Sequence, residues 1–159
     1  MAGTFLFFYF RSLENELTRE WEIVLDSLRL RLDKIPNLLE TVRSLAAGQE
    51  KLVEELVKLR AASWPMEESG RTKVQNELVI SEKLKAVWAM AGKFPDLARD
   101  TNFLALRTEF KEIGQEIENE VEAYNKRVRK HNKRVRFILF LPFSLLFRFK
   151  KAPVFEFEV

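Results

Sequence analysis

Apolar residues recur every third or fourth position over most of this chain, and that periodicity restricts it to helices. From Leu6 the stripe runs through Phe10, Leu13, Leu17, Trp21, Val24, Leu28 and Leu32, with Arg, Glu and Asp between. A second stripe comprises Leu38, Val42, Leu45, Leu52, Leu56 and Leu59, and a third Val74, Leu78, Leu84, Trp88 and Ala91. A fourth carries Phe103, Leu106, Phe110, Ile113, Ile117, Val121, Tyr124, Val128, His131 and Val135, with Asp100 or Thr101 placed to cap it. Breakers fall between the stripes. Ile35-Pro36-Asn37 reads as a first turn, residues 64–72 as a loop, and Gly92 with Pro95 as a last turn.

Four amphipathic helices with short connections predict an all-α domain, an antiparallel up-and-down four-helix bundle. It occupies residues 11–136, between an N-terminal segment 1–10 and a tail 137–159. Only the strict alternation of residues 154–159 suggests a short extended piece. Five glycines and five prolines are too few for the turns of an all-β fold. In such a bundle both chain ends and the 64–72 loop share one pole of a rod roughly 40 Å long. The Ile35-Pro36-Asn37 and Phe94-Pro95-Asp96-Leu97 turns share the other. There proline sets the entry angle, and Asn37 or Asp96 satisfies free helix-end amides.

The ends are unusual in composition. Many of the 14 phenylalanines crowd into residues 5–10, where Phe5, Phe7, Phe8 and Phe10 stand out, and into residues 137–149. Each run is shorter than the roughly 20 residues of a membrane-spanning helix. The first also lacks the basic region and cleavage site of a signal peptide. Both runs read either as hydrophobic caps packed on the domain or as lipid-facing segments, the first then being the stub of a longer anchor. Charge is segregated along the last helix. Residues 109–122 carry Glu109, Glu112, Glu116, Glu118, Glu120 and Glu122 against Lys111 alone. Residues 126–136 carry Lys126, Arg127, Arg129, Lys130, Lys133, Arg134 and Arg136 with no acid, and Arg148, Lys150 and Lys151 follow. Cations favour a helix C-terminus through the dipole, but this cluster exceeds that need. Beside apolar runs it suits an anionic membrane surface, worth about 1 kcal/mol per cation. Nucleic acid is disfavoured, because no aromatic platform interleaves the cations and the adjoining acids repel phosphate.

Chemistry-bearing constellations are missing. There is no cysteine and one histidine, so thiol catalysis, zinc-finger and iron–sulfur ligation are excluded and no Glu-x-x-His di-iron pair exists. Glu116 and Glu120, one helical turn apart, lie off the apolar stripe and read as a solvated face. His131 lies on the stripe and reads as a packed residue. No phosphate loop, nucleophile elbow or calcium loop occurs. The expectation is a protein that is not an enzyme and takes no cofactor and no metal.

Several short motifs together resemble the LemA family. Arg31-Leu32-Asp33-Lys34-Ile35-Pro36-Asn37-Leu38 is similar to its first signature, with Trp21 upstream standing where the family has Ala-Trp and Glu20 replacing the alanine. Phe94-Pro95-Asp96-Leu97 followed by Asn102-Phe103 resembles the second. Tyr124-Asn125 and His131-Asn132 resemble a Tyr-Asn-x-x-Val-x-x-Tyr-Asn close, with His131 replacing the second tyrosine, and Pro153-Val154-Phe155-Glu156 its tail. The resemblance implies a four-helix bundle behind one N-terminal transmembrane helix, in a family with immunodominant bacterial antigens and a magnetosome membrane protein, of unestablished molecular activity. The expected function is a membrane-associated bundle offering its distal pole to a protein partner, with the positive-inside tendency favouring the cytoplasmic side. A soluble bundle forming a homo-oligomer through its Phe-rich ends is the alternative, and a small-molecule site between helices a third possibility.

Overall fold

The stripes fold as helices in a computed structural model that describes residues 2–63, 70–138 and 154. The order is α1 (Ala2–Leu45), α2 (Glu50–Ser63), α3 (Gly70–Met90), α4 (Pro95–Arg99) and α5 (Thr101–Ile138), with no strand among the described residues. The loop expected at 64–72 is helical from Gly70 onward, and its first six residues lie outside the described ones. So does the predicted extended tail, apart from an exposed Val154.

The first turn is not where proline stands. α1 runs straight through Pro36, so the turn expected at Ile35-Pro36-Asn37 does not exist. A proline inside a helix costs about 3 kcal/mol, because it removes the bond to the carbonyl four residues back and clashes with it. That carbonyl belongs to Leu32, and the Arg60 side chain of α2 donates its Nε–H to it at 2.8 Å. The apolar stripe also stays in phase across the site: Leu32, Ile35, Leu38 and Val42 are all fully buried. Each such burial is worth about 1.5–3 kcal/mol, so continuing the helix outweighs the proline.

The chain breaks instead at Gly48, whose φ of 84° is a conformation that glycine adopts without strain. The Gly48 N–H donates to the Glu50 carboxylate at 3.2 Å, and the Gln49 carbonyl accepts the Val53 N–H at 3.1 Å as α2 begins. Leu45 and Leu52 stand two helical turns apart, so the spacing stays in phase across the break and hides it. The other junction follows the sequence more closely. Met90 O accepts N–H groups from Lys93 and Phe94, Pro95 opens α4, and Asp100 starts α5 by accepting the Phe103 N–H at 2.7 Å. The capping residue is therefore Asp100. Asp96 lies exposed in the first turn of α4, and Asn37 lies inside α1.

The chain divides into two compact units, and α1 and α5 contribute to both. The first comprises residues 25–118. Its core joins Leu32, Ile35 and Val42 of α1 to Leu56 of α2, Ile80 and Val87 of α3, Leu97 of α4, and Phe103 and Phe110 of α5. α2 packs on α3, and Lys83 reaches Glu55 across them at 2.8 Å. The second comprises, among the described residues, 2–24, 119–138 and 154. Its buried side chains include Leu17, Val24, Val121, Tyr124, Val128, His131 and Val135. The Trp21 ring lies 5.3 Å from that of Tyr124.

Candidate functional site

The described residues expected at a membrane surface belong to the smaller unit. Phe8 is 64% exposed and Tyr9 39%, both large apolar groups facing water on α1. The side chains of Phe5, Phe7 and Phe10 lie outside the described residues, although their backbone is helical. On α5, Lys126, Arg129, Lys130, Lys133 and Arg136 are exposed. The remaining two cations of that run are engaged. Arg127 pairs with Glu20 at 2.9 Å and reaches Glu16 at 3.9 Å, and the Arg134 guanidinium sits over the Tyr9 ring, 5.7 Å from its centroid. Arg134 therefore ties the basic run to the aromatic segment. Arg148, Lys150, Lys151 and the apolar run from 139 onward lie outside the described residues.

This surface follows from helical phase. His131 is buried on the stripe through Val128 and Val135, so neighbours off the stripe are turned outward. Tyr124 and Asn125 are likewise buried and Asn132 half-buried, as packing residues of the same face. Burial disfavours the tyrosinate and raises the Tyr124 phenol above its ordinary value.

The other motif residues hold the larger unit together. Arg31 is buried; its Nη1 donates to Ser81 Oγ at 3.0 Å, and its Nη2 donates to the Glu77 carboxylate and, at 3.4 Å, to the Glu77 carbonyl. Asp33 lies 3.8 Å from Arg60, the residue that serves Leu32. Asn37 and Thr41 accept bonds from the Asn102 amide at 3.3 and 2.8 Å, which brings the first signature to the second although the first is not a turn. Pro36 is exposed, and Leu97 and Phe103 are fully buried, Phe103 5.4 Å from Trp88. Phe94 is a half-buried N-cap, followed by Pro95.

Sequence reasoning missed Glu77 and Arg60. In α3 the buried phase is Glu77, Ile80, Ser81, Leu84 and Val87, whereas Leu78 of the predicted stripe is 40% exposed. An acid on the buried arc was hidden because the stripe was traced through apolar residues alone. The available signal was Arg31, which falls among buried positions of α1 and needs an opposite charge there.

No curated protein matches the chain. The model of the LemA family matches residues 20–159, nearly its whole length. With both signatures and the closing motif inside that span, this protein belongs to the LemA family.

Proposed function

We propose that this LemA-family protein is a non-enzymatic helical bundle that associates with a membrane surface and offers the rest of its fold to a protein partner. The observation that carries this reading is the aromatic and basic surface of the smaller unit: exposed Phe8, and Tyr9 beneath Arg134, with five further exposed cations on α5. Aromatic rings favour the bilayer interface, and cations gain about 1 kcal/mol each beside anionic head groups. Among the described residues no helix is long and apolar enough to cross a membrane. If the basic run lies beside the kind of N-terminal anchor found in the family, the positive-inside tendency favours a cytoplasmic bundle.

An antiparallel bundle is the arrangement that best fits the contacts within each unit. In the smaller one, Tyr9 and Trp21 meet Arg134 and Tyr124, so partners descend along α5 as α1 ascends. In the larger one, Lys34 meets Glu109 at 3.0 Å and Asn37 meets Asn102, the same opposed order. With α2 against α3, four helices would enclose the larger core.

Flotation with liposomes tests the lipid reading. The full chain should rise with anionic vesicles at low salt and not with neutral ones. Replacing Lys126, Arg129, Lys130, Lys133 and Arg136 by glutamine should abolish flotation. Absence of flotation under every condition, together with a discrete lipid-independent oligomer in sedimentation, would replace this reading with self-association through the Phe-rich ends.

A further inference from the structure

A cavity of about 250 Å³ opens in the larger unit, far in chemistry from the aromatic and basic surface just described. α3 contributes Leu84, Lys85 and Trp88, and α5 contributes Arg107, Phe110 and Lys111. These sets follow i, i+3, i+4 spacing, so each helix presents one face to the space. The Trp88 and Phe110 rings meet edge-on, centroids 5.4 Å apart and planes at 60°, and form an apolar corner with Leu84. Lys85, Arg107 and Lys111 are exposed at its rim.

The charge of this cavity is unbalanced. No acid lines it, and Lys85, Arg107 and Lys111 have no ion-pair partner among the described residues. Elsewhere in the same unit, cations reaching across helices are matched: Lys34 by Glu109, Lys83 by Glu55, and Arg60 by Asp33. Arg31 also lines the space, but its charge is already met by Glu77, so it supplies no net charge. Like charges around a partly desolvated apolar corner repel one another, and an anion relieves that repulsion. The volume admits a one- or two-ring molecule, smaller than a typical drug-sized ligand.

We propose that this cavity binds a small aromatic carboxylate, its ring against Trp88 and Phe110 and its anionic group among Lys85, Arg107 and Lys111. Arginine suits a carboxylate because its forked N–H groups can bond both oxygens. The ring then takes the apolar corner, where offset or edge-on stacking is favourable.

Calorimetric titration of the full chain with naphthalene-2-carboxylate, the uncharged naphthalene-2-carboxamide and acetate tests the assignment. The carboxylate should bind, the amide about tenfold or more weakly, and acetate not measurably, because each half of the site needs its counterpart. The double variant Lys85→Gln, Arg107→Gln should weaken the carboxylate about tenfold and leave the amide unchanged, with its melting curve verifying the fold. Trp88→Leu should weaken both aromatic probes. Equal affinity for carboxylate and amide, carboxylate affinity indifferent to the double variant, or no binding of the carboxylate at all would overturn the proposal.

Discussion

Two ion pairs of the same chemistry, one in each unit, differ almost completely in environment. In the larger unit the Arg31 and Glu77 side chains are 3% and 1% exposed. In the smaller one Arg127 and Glu20 are 51% and 21% exposed. The larger unit draws segments from all five helices around its core, so a polar group at its centre is cut off from water. The described residues of the smaller unit come from α1 and α5 alone, each burying one stripe and leaving charged heads at the margin. Burial, rather than the identity of the pair, thus decides what each contributes. A buried charge must keep its partner, whereas an exposed pair is screened and nearly dispensable.

The largest effect should come from splitting the buried pair. Glu77→Ala leaves Arg31 charged in the core and should lower the unfolding free energy by about 3–5 kcal/mol in urea titration. Glu20→Ala should lower it by less than about 1 kcal/mol. Replacing both buried partners, Arg31→Met with Glu77→Leu, should recover most of the loss, since no unpaired charge remains. Equal costs for the two single variants would break the comparison.

Arg60 offers a sharper case within the larger unit, because its partner is a backbone carbonyl. Arg60→Ala leaves Leu32 O without its donor, a loss of about 1–3 kcal/mol. In a Pro36→Ala background the helix regains its own N–H for that carbonyl, and the same substitution should cost clearly less. Denaturation of the four members of this cycle measures the coupling. Additive costs would mean that Arg60 acts through Asp33 instead.

The smallest effect is expected in the smaller unit. Tyr124 is raised by burial, so the folded chain holds that phenolic proton at a pH where the unfolded chain, near 10, releases it. Its contribution to stability is therefore present below about pH 10 and fades as the pH climbs through the folded value. Ultraviolet titration of tyrosinate should show a late-ionising component that Tyr124→Phe removes. Absence of that component would mean that water reaches the Trp21–Tyr124 contact, and that this unit is more open than its aromatic packing suggests.

Much of the scaffold was legible in the residues. His131 reads as buried from its phase, Asp100 or Thr101 as a cap from their place before a stripe, with the structure choosing Asp100, and the all-helical class from the period itself. Two errors have one origin. Pro36 reads as a turn because its local cost is large, while Gly48 gives no signal because Leu45 and Leu52 stay in phase around it. Glu77 escapes notice because apolar spacing alone traces the third stripe, and an acid on the buried arc leaves no mark on it. On the site, the basic run on α5 was visible in the sequence, but the engagement of Arg127 by Glu20 and of Arg134 by Tyr9 was not. The cavity between Trp88 and Phe110 could not be read either, since its walls come from separate helices.

By itself, then, the sequence determined the helical class, the buried face of most helices and membership of the LemA family. These rest on spacing within a few turns and on short ordered motifs. The tertiary structure decided where α1 ends, which charge enters the core and which cations reach a distant partner. Each depends on groups far apart in the chain: Arg60 serving Leu32, Glu77 and Ser81 holding Arg31, Asn102 joining Asn37 to Thr41. Local propensity sets a cost of a few kcal/mol at a proline or a buried acid, and only a distant partner can offset it.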